Sequence, residues 1–399
     1  MSLAALCLAL FAAAFLTPAA SAAPARAGKA LLPNGDFERG LSTHPWMPSS
    51  WDTSMADLPT VFFGRDSFLV HSGKWAVNVA NMSAAFPMAH NWSQTILVTP
   101  DMWGKTAVFK AWTRSNGLEG RAYLVVQAYS DTATKMGRIW GVDHDEALRR
   151  LNIHKIDDPL LDLGWKRTTF DDPLTEWVER EARTVVPPGT NVLFVRCGLL
   201  GTGQVLFDDA SLTLENTPAS PKPAKGENLF LEPGFENRAL AWDIAIPPYE
   251  GAKVETDSTV ARSGRSSLLI RDFFDGLVET RIGAGQPFNG RALRGQRVRL
   301  SGYFKGDSLQ GSCFVKVYSH GMRTHVTQSP GAELLSGTWD WKELAIEFDI
   351  PEDSELVWAN LIALAPASGR LWIDDARFEV VGTSKTVAPA AAPMKAGKK

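Results

Sequence analysis

The chain of 399 residues contains only three cysteines, Cys7, Cys197 and Cys313. Cys7 lies in an apolar leader, and the other two lie in different halves of the chain. Disulfides are therefore not the basis of the fold, and both cysteines read as small buried hydrophobes. No Cys/His cluster has zinc spacing. Excess charge is lacking too: 41 basic and 44 acidic residues leave a formal net charge of −3. Without a basic run, nothing marks a nucleic-acid partner. The sequence has no P-loop, nucleophile elbow or HExxH motif, which removes the commonest local signatures of nucleotide, serine-hydrolase and zincin chemistry. Beyond the leader, no apolar run is long enough to span a bilayer.

What is present begins with MSLAALCLALFAAAFLTPAASAAPARAG. The uncharged run from Leu3 to Leu16, followed by A-x-A-like sites near Ala20 to Ala22, reads as a secretory signal over residues 1–23. No Lys or Arg precedes the run, which departs from that pattern. An uncleaved anchor is the other reading, disfavoured by the shortness of the run. The expected location is secreted, periplasmic or cell-surface.

The remainder is one unit written twice. GRDSFLVHSGKW (Gly64 to Trp75) and TDSTVARSGRS (Thr256 to Ser266) share Asp-Ser, four residues, Ser-Gly and a basic residue. Upstream lie NGDFERG (Asn34 to Gly40) and EPGFENR (Glu232 to Arg238). Downstream, KTAVFKAWTRS matches QRVRLSGYFKG, so Trp112 corresponds to Tyr303. Both units close on Asp-Asp inside an alternating strand, at Asp208-Asp209 and Asp374-Asp375. Short runs alternating apolar and polar, bounded by Gly, Pro, Asn and Asp, are the signature of antiparallel strands with one face in a core. The fold class is all-β: two tandem antiparallel β-sandwich (jelly-roll) domains at 29–215 and 228–382, joined by a Pro-rich linker at 216–227. Residues 383–399 read as a disordered tail. The first unit carries a partly helical loop insertion at 133–177, with DHDEALRRLN as its short helix.

These motifs, in this order and twice over, resemble the family 4/9 carbohydrate-binding modules, which are galactose-binding-like jelly rolls. The resemblance implies a structural calcium in each unit. Carried across, its ligands would be Glu38, the backbone around Ser72 and Lys74, and Asp208 in the first unit. In the second they would be Glu236, Ser263, Arg265 and Asp374. Strand parity places Asp208 with Ala210 and Leu212, on the inner side where a carboxylate needs compensation. The plainer alternative is that these carboxylates accept backbone hydrogen bonds in turns.

Sugar binding needs flat apolar faces with polar groups around them, a role that suits Trp and Tyr. Nine of the 14 Trp lie between Trp46 and Trp177, which points to the first unit. The loop candidates are Trp46, Trp51, Trp92 and Trp140. The strand-face candidates are Trp112, Arg114, Gln127, Tyr129 and Arg196, with Lys110 beside them. The second unit offers Tyr303, Lys305, Lys316, Tyr318, Asn360 and the loop residue Trp242. Most Trp residues in folded chains are largely buried, so each single Trp has a core role as its alternative.

The expected function is a secreted, non-catalytic carbohydrate-binding protein whose partner is a glycan polymer. Two alternatives stay open. One is a polysaccharide-acting enzyme using insert residues such as Asp143, His144, Asp145, Glu146, His154, Asp157, Asp158, Asp162, Asp171 and Asp172. The other is a surface or matrix protein that binds no sugar.

Overall fold

The structure, a computed structural model, describes residues 31–54, 58–85, 89–130, 141–142, 146–147, 150, 161–172, 175–219, 221–245, 253–271, 280–321, 325–328 and 333–385. The signal-like leader at 1–23, Trp140, most of the insert and the tail beyond 385 lie outside the described residues. Within the insert, Glu146, Ala147 and Arg150 have helical backbone, and Arg150 Nε donates to Glu146 Oε1 at 2.8 Å, whereas Leu161–Phe170, expected as part of the loop insertion, is a paired strand of the sandwich.

Among the described residues, the first half builds ten strands: β1 (Asp52–Ser54), β2 (Val61–Asp66), β3 (Ala76–Asn81), β4 (Ala89–Leu97), β5 (Lys105–Asn116), β6 (Arg121–Ser130), β7 (Leu161–Phe170), β8 (Val178–Val185), β9 (Val192–Leu200) and β10 (Gly203–Asn216). They pair antiparallel in two five-stranded sheets, β1-β4-β9-β6-β7 and β2-β3-β10-β5-β8. The period-2 alternation explains the sandwich. In β6, Leu124, Val126 and Ala128 face inward, where they meet Phe109 and Ala111 of β5, Val195 of β9 and Phe207 of β10.

The second half repeats this arrangement with β11 (Asp243–Ala245), β12 (Lys253–Asp257), β13 (Ser267–Arg271), β14 (Thr280–Asn289), the one-turn helix α1 (Gly290–Leu293), β15 (Gln296–Gly321), β16 (His325–Gln328), β17 (Glu333–Asp349) and β18 (Ser354–Thr383). Here β15 and β18 run unbroken from one layer into the other. Strand β18 pairs with β14 across Leu356–Ala365 and then with β13 across Arg370–Ile373. One eight-stranded sheet therefore folds over its own core, which includes Phe304, Val315, Leu361, Ile373 and Phe378. In the first half the corresponding strands are interrupted between Asn116 and Arg121 and between Leu200 and Gly203, so two separate sheets result. Cys197 and Cys313 are buried in the first and second cores respectively. Among the described residues, no helix is long and apolar enough to cross a membrane.

Candidate functional site

The repeated motifs converge on one closing device per module. In the first module, Glu38 Oε1 accepts from the backbone N–H of Lys74 (2.6 Å) and Trp75 (3.0 Å). Asp208 Oδ2 accepts from the N–H of His71 (2.8 Å) and Ser72 (3.1 Å), and its Oδ1 from that of Asp209 (2.7 Å). The second module reproduces this. Glu236 Oε1 accepts from Arg265 and Ser266 N–H at 3.0 and 3.3 Å, and Asp374 Oδ2 from Arg262 and Ser263 N–H at 2.7 and 3.1 Å. The Gly of each Ser-Gly pair is required: Gly73 and Gly264 have φ of +63° and +65°. A Cβ there would fall 2.2 Å from Glu38 Oε1 and 2.1 Å from Glu236 Oε1.

The second Asp of each pair works on side chains. Asp209 Oδ2 is 2.7 Å from His71 Nδ1, and its Oδ1 accepts from Ser72 Oγ at 3.0 Å. The His71 ring stacks on Trp112 with centroids 3.9 Å apart and planes 13° apart. In the second module Arg262 takes the place of His71. It bonds Asp375 and lies over the Tyr303 ring at 3.4 Å. Trp112 and Tyr303, expected as sugar platforms, are thus the floors on which the Ser-Gly loops rest. Asp208 is fully buried, and burial together with the adjacent Asp209 pushes its carboxyl up to about 7. Burial also raises Asp374.

Glu38, Ser72, Lys74 and Asp208 therefore meet in space, as do Glu236, Ser263, Arg265 and Asp374. Each set holds two carboxylates already engaged by N–H donors. Among the described residues, no group of three His, Cys, Asp or Glu side chains is placed to hold a metal ion. A calcium ion here would need backbone carbonyls as further ligands. Carboxylate oxygen is the donor type a hard cation takes, but the bonds present are those of carboxylates accepting backbone N–H groups in turns.

Several other expected binding residues are structural. Trp51 is 2% exposed, donates Nε1–H to Asn34 O at 3.0 Å and tilts against Phe37. Trp242 is its counterpart, donating to Glu232 O at 3.0 Å and packing on Phe235. Trp92 is fully buried, with its Nε1–H on Asn78 O at 3.0 Å. These are corrections: Trp92 lies within β4 rather than in a loop, and a Trp beside a sandwich core is drawn in by its area and anchored by its one donor. Trp46 is the exception, 50% exposed.

The strand-face group divides between the two sheets. Lys110, Trp112 and Arg114 lie on β5, on the outer face of one sheet, and Lys110 pairs with Glu179 at 2.9 Å. Gln127, Tyr129 and Arg196 lie on β6 and β9, on the outer face of the other sheet. There the register sets Thr95, Phe194 and Gln127 in one row and Ser93, Arg196 and Val125 in the next. The Tyr129 and Phe194 rings meet edge to face at 5.3 Å. The Arg196 guanidinium lies 5.0 Å over the Phe194 ring and donates to Gln127 Oε1. Phe194 was missed by the sequence reading. Its parity with Arg196, two residues on, is the signal that would have found it.

The other end of this face is covered by the second module. Tyr123, Val125 and Leu200 pack with Leu356, Trp358 and Tyr318. Arg121 donates to the carbonyls of Ala239 (3.0 Å) and Arg238 (2.5 Å), Arg167 pairs with Asp243, and Arg238 with Asp171 at 2.9 Å. Tyr318 opposes Trp358, and Lys316 opposes Asn360. Tyr318, expected as a sugar ligand of the second module, is instead part of the intermodule contact. Lys316 sits beside it, with Nζ 5.6 Å from the Tyr318 ring centroid. Lys305 pairs with Asp340 at 2.7 Å.

No protein-family model matches the chain, and no curated protein matches it. Among solved structures, it is similar to the tandem CBM22-1-CBM22-2 domain of Xyn10C from Paenibacillus barcinonensis. The identity is 12% and the TM-score 0.31, covering 91% of this chain and all of that one. It is also similar to the C-terminal family 22 carbohydrate-binding module of Clostridium thermocellum Xyn10B, at 21% identity and TM-score 0.31, over 42% of this chain and 99% of that one. A third is TmCBM61, solved with β-1,4-galactotriose, at 15% identity and TM-score 0.29, over 39% and 99% of the two chains. These neighbours carry family numbers 22 and 61, whereas the sequence resemblance is to family 4/9. The sandwich architecture and its doubling rest on the strand order and register above.

Proposed function

We propose that this chain is an exported, non-catalytic carbohydrate-binding protein. It takes a poly- or oligosaccharide on the open half of the β4-β9-β6 face. The observation that carries the reading is the group on that face: Phe194 and Tyr129 as paired rings, Arg196 over one of them, and Gln127 held by Arg196. Apolar ring faces suit the C–H side of a sugar, and the guanidinium, amide, Ser93 and Asp52, which β1 pairs with Ser93, supply polar contacts at the rim. The signal-like leader supports export. The paired closing devices support a calcium ion as a structural brace held by Glu38 with Asp208 and by Glu236 with Asp374.

Affinity electrophoresis against a panel of soluble polysaccharides tests this. The wild-type chain is expected to be retarded by at least one of them. Phe194→Ala and Arg196→Ala should each abolish the retardation while circular dichroism shows the chain still folded. Retardation by none, or variants that bind as the wild type does, would overturn the reading.

A further inference from the structure

A pocket of 230 Å³ lies where the two modules meet, and neither module closes it alone. Its first-module wall comes from the rim where β7, the edge of one sheet, meets β8, the edge of the other. Thr168 Oγ1 ties the two strands by donating to Glu181 O at 2.6 Å. Thr106, Lys166 and Val185 line this side; Pro287, Phe288 and Leu356 of the second module line the other.

The charges in this pocket are unequal in a telling way. Glu355 is buried but fully answered, by Arg291 at 2.5 Å and Arg294 at 2.6 Å. Arg183 is answered by Glu215 and by Glu181. Lys166 has no carboxylate or hydrogen-bond partner among the described residues. The register puts it opposite Val126, an inward-facing position, and the half-buried Lys166 lines the pocket. Burial alone lowers its pKa, with no neighbouring charge acting on it. An unanswered cation in a desolvated wall calls for an anion. Beside it, Pro287 and the half-buried Phe288, whose ring also packs on Phe378, are the apolar side chains that a sugar ring would meet. The volume is below the roughly 300–1,000 Å³ of drug-sized ligand sites, so it admits one ring-sized group.

We propose that this intermodule pocket is a second saccharide site, selective for a sugar ring bearing an anionic substituent, carboxylate or sulfate, with Lys166 as its counter-ion. The inference rests on the glycan-binding reading and adds a site and a substrate class to it. Titration calorimetry on the full chain tests it with galacturonate, sulfated galactose and neutral galactose oligomers of equal length. An anionic oligomer, uronate or sulfate, should bind at least tenfold more tightly than the neutral one. That preference should shrink with added salt, vanish in Lys166→Gln, survive in Lys166→Arg and survive in Phe194→Ala. Whichever anion shows the preference identifies the substituent. Equal binding of all three oligomers, lost in Phe194→Ala, would overturn this pocket while leaving the sheet-face reading intact. A preference unchanged in Lys166→Gln would also overturn it. No binding of any oligomer would count against both.

Discussion

The buried carboxyl of Asp208 makes a quantitative prediction that separates a proton from a metal ion in the closing device. Its pKa rises from 3.8 to about 7 in the fold. A carboxyl raised on folding binds its proton more tightly in the native state. Its penalty is therefore absent below the unfolded pKa, grows as pH rises through the window from about 4 to 7, and is complete above it. Three pH units at 1.36 kcal/mol each give about 4 kcal/mol for this one group. In chelator, the wild-type stability should therefore fall towards neutral pH relative to that of Asp208→Asn, which cannot ionise. The difference between the two profiles isolates the group from histidines and other carboxylates titrating nearby. In millimolar calcium, the ion would hold the carboxylate ionised, the relative slope should flatten, and the calcium-induced gain in Tm should be larger at pH 8 than at pH 5. Urea unfolding from pH 5 to 8, with and without calcium, reads both effects. Parallel profiles for wild type and Asp208→Asn in chelator would refute the desolvation argument. A relative slope indifferent to calcium would refute the metal.

Other outcomes follow from the same geometry. Gly73→Ala meets both a left-handed φ and the Glu38 carboxylate, so it should destabilise by about 2 kcal/mol or more, and Gly264→Ala similarly; urea midpoints measure this. Trp51→Ala should cost about 3–5 kcal/mol as a large core truncation, whereas the half-exposed Trp46→Ala should stay within roughly 0.5 kcal/mol. Thermal unfolding of the pair decides whether the loop Trp residues have been sorted correctly. Trp358→Asp places a charge in the apolar intermodule cluster and should let the modules separate, seen as a larger radius of gyration in small-angle scattering with each sandwich still folded.

How much of this was legible in the sequence differs from one residue to the next. The doubling was readable because repeated backbone requirements leave repeated residues. A positive-φ Gly beside a Glu and a buried Asp capping a loop admit few substitutes, so the Glu, Ser-Gly and Asp-Asp signatures recur. Strand parity correctly set Phe109 and Ala111 opposite to Lys110 and Trp112. Parity, however, speaks only within a strand. It could not tell that β5 and β6, consecutive in the chain, belong to different sheets, and so it joined Trp112 to Gln127 and Tyr129.

The sequence by itself determined an all-β chain of two like units carrying the same Glu, Ser-Gly and Asp-Asp signatures, because those features are local or periodic. Only the tertiary structure decided which aromatic residues are free. Trp51 and Trp92 are buried by packing, Trp112 is stacked under His71, and Tyr318 is covered by the other module. Exposure depends on what lies across the core and across the module boundary. Those neighbours are distant in sequence, so composition and spacing carry no record of them.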